Sequence, residues 1–117
     1  MRPGGPNAET PDMALILLAT HDTTAGGIMT AELEGAGHTV VWCTDGQEAY
    51  TTALEQQPDI VFLDRNLPVF HGLATCEMMR GDPDLPAALP IFVLSDEEQN
   101  AKTLEQAGAT GPFPKTH

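Results

Sequence analysis

The sequence feature that most constrains the fold is the stretch over residues 58–72, which reads P-D-I-V-F-L-D-R-N-L-P-V-F-H-G. Its apolar run at residues 60–63 is typical of a strand that is buried on both faces, as in a parallel sheet. Asp64 follows this run directly, and Pro68 predicts a loop because proline cannot continue a strand ladder. Gly72 closes the loop before a helical pattern begins. Ligands collect at the carboxyl ends of strands in open parallel sheets, so Asp64 is a candidate functional residue.

The remainder of the chain alternates between apolar runs and segments with helical spacing of apolar residues. Strands are predicted at residues 14–19, 39–43, 91–94 and 111–115, and helices near 25–36, 49–57, 73–80 and 96–107. Strands that alternate with helices long enough for crossovers predict an α/β fold with a doubly wound, five-stranded parallel sheet. The last strand contains Pro112 and Pro114, so we expect it at an edge of that sheet.

Composition limits the function classes. Residues 1–12 are rich in proline and glycine and predict a disordered leader, followed by one domain over 13–117. The formal net charge of −12 argues against a nucleic-acid or anionic membrane partner. No apolar stretch is long enough for a transmembrane helix, and the amino terminus lacks the apolar core of a signal peptide. Cys43 and Cys76 have no C-x-x-C spacing, which favours two reduced, buried thiols in a cytoplasmic protein.

Polar residues end three of the predicted strands. Asp64, Ser95 and Lys115 each follow an apolar run, and each interval between them accommodates one further helix and strand. Since carboxyl ends of parallel strands meet at one edge of the sheet, the three side chains are expected to converge there. The set suits phosphoryl transfer, in which a carboxylate attacks phosphorus, a hydroxyl donates to a phosphoryl oxygen and an ammonium neutralises charge.

These three residues, together with the Pro68 and Gly72 loop, resemble the receiver domain of two-component response regulators. The resemblance covers about residues 13–116, including the Asp-Gly-x-Glu-Ala turn at residues 45–49. It implies a flavodoxin-like strand order of 2-1-3-4-5, with the family's final helix missing or truncated. It also implies that Asp64 is the phosphoacceptor in a phosphorelay, served by Ser95 and Lys115. The implied partners are a histidine kinase or phosphotransfer protein, a downstream protein or effector domain, and a second copy in a homodimer.

The sequence departs from the family at the end of its first strand. The family places two adjacent acids there, which hold Mg²⁺, whereas a gapless register puts Thr20 and His21 at these positions. The resemblance therefore implies at most a weakly held Mg²⁺, with Asp22, Asp64 and the backbone carbonyl of Asn66 as ligands. Because a Lewis-acid metal supplies several kcal/mol, a damaged site slows phosphorylation by on the order of a thousandfold. Pro112 also stands where the family often has a switching aromatic residue.

Two alternatives to a working receiver remain open on the residues. In a pseudo-receiver, Lys115 and Asp64 pair permanently, and the domain binds proteins without phosphorylation. In a small flavodoxin-like binding domain, the polar turn at residues 20–26 holds flavin or cobalamin, although it matches neither pattern residue for residue. No motif for catalysis on an exogenous substrate is present, so the chain is not expected to be an enzyme.

Overall fold

The computed structural model describes residues 14–95, 108 and 111–114 of the 117-residue chain. The predicted leader, the predicted helix over 96–107, and Lys115 lie outside these residues. The elements in chain order are β1 (Leu15–Ala19), α1 (Thr23–Gly35), β2 (Thr39–Cys43), α2 (Gly46–Gln56), β3 (Ile60–Asp64), α3 (Gly72–Arg80), β4 (Ile91–Ser95) and β5 (Gly111–Pro114). Each predicted strand is present, with ends that differ from the prediction by no more than one residue.

The five strands form one parallel sheet in the order β2-β1-β3-β4-β5, which confirms the predicted fold class and strand order. β1 and β3 are neighbours although α1, β2 and α2 separate them in the chain. β5 pairs with β4 alone, and Pro112 and Pro114 are tolerated because an edge strand needs ladder hydrogen bonds on one side only.

Alternate residues of each strand point to opposite faces of the sheet, and apolar clusters pack on both faces of the central strands. On one face, Leu17, Val61 and Leu63 pack against buried residues of α2 and α3. On the other face, Leu18 and Phe62 pack with Met29 of α1. The continuous apolar runs of β1 and β3 follow from this arrangement, since every position in a central strand meets a packed layer.

Helix boundaries follow the local signals in the sequence. Asp22 caps α1 by accepting hydrogen bonds from the backbone N–H groups of Thr24 and Ala25, each at 3.0 Å. Asp45 caps α2 through the N–H of Glu48 at 2.7 Å, which confirms that these two acids belong to a turn and a helix start. An unexpected cap begins α3, where Nδ1 of His71 accepts from the N–H of Ala74.

Two expectations about the environment of the chain can be compared with the described residues. Cys43 and Cys76 are buried and free, as predicted. Within the described part of the chain, no helix combines the length and apolar character that a membrane crossing requires.

Candidate functional site

The site begins with the register between the two central strands. Ala19 of β1 pairs with Leu63 of β3, so the next residues, Thr20 and Asp64, lie side by side at the carboxyl ends of their strands. The Thr20 hydroxyl donates a hydrogen bond of 2.7 Å to Oδ2 of Asp64. A threonine and a carboxylate that are distant in sequence therefore form one buried polar pair at the edge of the sheet.

Asp64 is the last residue of β3 and remains in the interior, with only 3% of its surface exposed. Its second oxygen, Oδ1, accepts a hydrogen bond from the backbone N–H of Asn66 at 3.0 Å. Both carboxylate oxygens thus have a donor from the protein, which is what a buried carboxylate requires. A reaction at either oxygen starts from a carboxylate that is already stabilised by hydrogen bonds.

The loop after Asp64 is fixed by close backbone contacts. A Cβ atom at Gly72 would lie 2.5 Å from the carbonyl oxygen of Asp64, so only glycine allows α3 to begin so near the strand end. The N–H of Gly46, at the start of α2, donates to the carbonyl of Pro68 at 3.1 Å. The predicted roles of Pro68 and Gly72 in shaping this loop agree with these contacts.

The tip of the same loop is strained. Val69 has a φ of 70°, and the N–H of Phe70 donates to the carbonyl of Pro68 at 2.8 Å, which describes a γ-turn of the rare kind. A β-branched residue at positive φ costs on the order of 1–3 kcal/mol and persists only where neighbours hold it. Thr75 provides such a contact, because its hydroxyl donates to the carbonyls of Phe70 and His71 at 3.0 Å each.

An open cavity of about 440 Å³ lies beside this loop. It is lined by Arg65, Asn66, Leu67, His71 and Leu73. Of the three side chains that were predicted to converge, Asp64 is the one that the structure describes, and it is not among the described lining residues. The cavity is therefore a feature of the β3–α3 loop, and the anion-sized pocket expected among Asp64, Ser95 and Lys115 stays a prediction.

The predicted metal ligands include only two carboxylates, Asp22 and Asp64, beside the backbone carbonyl of Asn66. Asp22 is exposed, and its Oδ1 holds the amino terminus of α1. His21 is exposed as well. Among the described residues, no group of three or more histidine, cysteine, aspartate or glutamate side chains is arranged for a metal ion. A buried hydroxyl that donates to Asp64 is a poor replacement for an acid, so this donor set does not fit a strongly bound Mg²⁺.

The backbone positions of the other predicted site residues follow from the sheet. Asp64 pairs with Leu94, and Ser95 comes next in β4. Ser95 pairs with Pro114 at the end of β5, the residue before Lys115. The side chain of Ser95 and the whole of Lys115 are outside the described residues, so their convergence on Asp64 stays a prediction.

The sequence identified Thr20 as the residue that stands in place of an acid and as the first residue of the polar turn at residues 20–26. The structure shows that it is fully buried and that its hydroxyl binds the candidate phosphoacceptor. Its position directly after a buried strand was the available signal, since such positions reach the functional edge of a parallel sheet. The partner of the hydroxyl was not available from the sequence, because it depends on which strands are neighbours.

Comparison with known proteins places these observations in a family. The family model of the response regulator receiver domain matches residues 16–117. The DNA-binding dual master transcriptional regulator RpaA of Synechocystis is 31% identical over 83 residues, which cover 71% of this chain and 34% of RpaA. The chain spans about a third of the length of the curated relatives it matches.

Solved structures agree with the sequence match. The chemotaxis response regulator CheY4 of Vibrio cholerae superposes with a TM-score of 0.83 at 27% identity, covering 90% of this chain and 88% of CheY4. The receiver domain of the sensor histidine kinase PA1611 from Pseudomonas aeruginosa, which holds a magnesium ion in its active-site cleft, gives a TM-score of 0.79 at 24% identity. That alignment covers 90% of this chain and 87% of the PA1611 domain. The second similarity concerns the fold alone.

Proposed function

This chain belongs to the family of response regulator receiver domains, and from that premise we propose that Asp64 is its phosphoacceptor, with phosphorylation impaired by the residues around it. The observation that carries the proposal is the buried Asp64 carboxylate at the end of the central strand, bound by Thr20 at 2.7 Å. The carboxylate is positioned for nucleophilic chemistry, yet a hydroxyl occupies the place of a metal-binding acid.

The reaction is a transfer of a phosphoryl group to a carboxylate. One Asp64 oxygen attacks phosphorus, the bond from phosphorus to the donor breaks, and the donor leaves with that electron pair. The donor is a phosphohistidine of a histidine kinase or phosphotransfer protein. Ser95 is proposed to donate to a phosphoryl oxygen, and Lys115 is proposed to neutralise the charge that develops. The result is an acyl phosphate that is read by a downstream protein or effector domain in the cytoplasm.

The impairment follows from the donor set. Receivers use a bound metal as a Lewis acid, and a metal in that role stabilises a transition state by several kcal/mol. Here the described residues do not supply the acids that would hold it tightly, so the rate is expected to be on the order of a thousandfold lower than with an intact site. The chain transmits a signal through its own modification and is not proposed to turn over a separate substrate.

A direct test uses acetyl phosphate with Mg²⁺ and intact-mass measurement. The wild-type chain should gain one phosphoryl group slowly, and Asp64→Asn should gain none. Asp59→Asn is a matched control, because Asp59 is an exposed acid whose Oδ2 accepts from the N–H of Leu15 at the start of β1, far from the strand end. A wild-type adduct that persists in Asp64→Asn would reject Asp64 as the acceptor.

A pseudo-receiver is the second candidate, and the Thr20 hydrogen bond favours it as well. That bond gives the buried carboxylate a donor within the protein, and in this alternative Lys115 is proposed to pair with it permanently, so the folded domain needs neither metal nor phosphate at Asp64. Under this alternative the domain binds a protein partner equally well before and after incubation with acetyl phosphate. Absence of any adduct after prolonged incubation, with the fold intact, would favour it over the first proposal.

A further inference from the structure

Every polar group of Thr20 has a partner, and these partners belong to strands β2 and β3 and to the backbone of Asp22. Its N–H donates to the carbonyl of Cys43 at 3.0 Å, and its hydroxyl donates to Asp64 at 2.7 Å. Its carbonyl accepts a hydrogen bond from Nε1 of Trp42 at 3.1 Å. The same hydroxyl oxygen accepts from the N–H of Asp22 at 3.1 Å. The position of the hydroxyl on Asp64 is therefore set by a residue of the edge strand β2 as well as by β1.

The ring of Trp42 is itself held in place by α1. A Cβ atom at Gly26 would lie 2.2, 2.6 and 2.8 Å from three atoms of the indole ring, so the ring occupies the space that a side chain would take. Glycine within a helix is less favourable than alanine, because its backbone loses more conformational freedom. Here that cost is offset because the indole ring packs directly against Gly26, and this packing holds the indole N–H in place to donate to the carbonyl of Thr20.

We propose that Trp42 is a positioning residue for the phosphoacceptor and acts through Thr20. This inference rests on the proposed function for its kinetic consequence, but the physical coupling between Trp42 and Asp64 does not. The indole N–H fixes the Thr20 backbone, and the Thr20 hydroxyl in turn stabilises the free carboxylate of Asp64. These two hydrogen bonds, from Trp42 to Thr20 and from Thr20 to Asp64, connect the edge strand β2 with the reacting oxygen atoms.

The direction of the effect follows from the charge on Asp64. The hydroxyl stabilises the free carboxylate more than the acyl phosphate, because the new bond from a carboxyl oxygen to phosphorus removes the negative charge of the carboxylate. An interaction that is stronger in the ground state than in the transition state slows the reaction. The hydrogen bond from Thr20 therefore lowers the rate of phosphorylation of Asp64, and Trp42 keeps Thr20 in the position where it makes this bond.

Rates of adduct formation from acetyl phosphate provide the first test. Thr20→Val deletes the hydroxyl at nearly constant volume and should speed adduct formation about tenfold, the value of one hydrogen bond to a charged group. Trp42→Phe keeps an aromatic ring over Gly26, deletes the N–H, and should speed it about threefold. The double variant should match Thr20→Val alone, because Trp42 acts only through Thr20.

Tyr50→Phe is the matched control. It also deletes a hydrogen-bond donor from an aromatic side chain, but that donor contacts Asp82 and not Trp42, Thr20 or Asp64. Its rate should equal that of the wild type. An unchanged rate in Trp42→Phe, a slower rate in Thr20→Val, or additive effects in the double variant would each overturn the inference while leaving Asp64 as the phosphoacceptor.

Fluorescence provides a second test that needs no phosphorylation. Trp42 is the single tryptophan of the chain, so its emission reports this position alone. Asp64→Ala removes the acceptor of the Thr20 hydroxyl and should change the emission, whereas the same substitution in a Thr20→Val background should not. If no variant forms an adduct but this emission pattern is found, the proposed function fails and the coupling stands. If the emission of Asp64→Ala equals that of the wild type, the coupling is wrong.

Discussion

The hydroxyl of Thr20 donates to Oδ2 of Asp64 at 2.7 Å, although 44 residues separate them in the sequence. The pair replaces the electrostatic arrangement that a metal-binding receiver has at this position. A carboxylate beside a second carboxylate needs a cation, whereas a carboxylate beside a hydroxyl is satisfied by a hydrogen bond. We therefore expect the folded domain to depend less on a metal at this site than a receiver with two adjacent acids does.

The first prediction restores an acid to this position. Thr20→Asp places a second carboxylate next to Asp64, so like charges should lower the stability without metal. Millimolar Mg²⁺ should then raise the stability by about 1–3 kcal/mol, since a ligand that binds only the native state stabilises it by mass action. Thermal unfolding with and without Mg²⁺ measures this. The variant Thr20→Asn has a similar size and no charge, and it should respond to Mg²⁺ as little as the wild type. An equal response in both variants would contradict the prediction.

The second prediction compares adjacent glycines in α1. Gly26→Ala forces a Cβ into the indole of Trp42 and should cost about 1–3 kcal/mol, as overpacking does. Gly27→Ala meets no atom within 4 Å and should gain about 0.5–1 kcal/mol through helix propensity. Urea denaturation measures both, and tryptophan emission should change only in Gly26→Ala. Equal stabilities of the two variants would show that the indole ring does not fill the space beside Gly26.

The third prediction concerns the hydrogen bond from the Tyr50 hydroxyl to Oδ2 of Asp82, which ties α2 to the turn after α3. This bond is the main cause that lowers the pKa of Asp82 and raises the pKa of Tyr50. A lowered carboxyl pKa contributes stability above the unfolded value, about 3.9, and loses it as the pH falls through the folded value. A raised tyrosine pKa contributes stability below about 10 and loses it as the pH rises through the folded value.

Tyr50→Phe should therefore be less stable than the wild type near neutral pH, and the difference should shrink below about pH 4 and above about pH 10. Denaturation midpoints of both proteins across this range measure the effect. Thr51→Val is a suitable control because Thr51 is an exposed neighbour on α2. A difference that stays constant from acid to alkaline pH would show that the hydrogen bond is not the source of the stability.

The fourth prediction concerns the two thiols. Burial raises the pKa of Cys76 to about 11 and also raises the pKa of Cys43. Since the thiolate is the reactive form, both should resist a thiol reagent at pH 8 in the folded protein. Labelling should speed up in urea and slow down in Gly27→Ala, because access requires opening of the fold. Labelling in buffer as fast as in denaturant would mean that these side chains are not enclosed.

Much of the fold could be predicted because it is encoded locally. The apolar runs before Asp64 and Ser95, and the capping residues Asp22 and Asp45, specify strands and helix starts within a few neighbours. The alternation of elements and the prolines near the end of the chain then predict a parallel sheet with β5 at its edge. The cap at His71 was not predicted, since histidine is not a common capping residue.

The candidate site was predictable only in part. Asp64 could be identified from its place after a buried strand, while the contacts of Thr20 and Trp42 could not, because each partner comes from a different strand. The left-handed conformation of Val69 was also not visible, since nothing in a valine indicates positive φ.

The sequence by itself determined the order of strands and helices, the buried character of the central strands and the acid at the end of β3. Only the tertiary structure decided that the Thr20 hydroxyl donates to Asp64. The same is true of Trp42, whose indole packs against Gly26 and donates to the carbonyl of Thr20. The physical reason is that local signals act over a few residues through backbone sterics and hydrogen bonds. Contacts between side chains at strand ends are instead set by the register of neighbouring strands, here the pairing of Ala19 with Leu63.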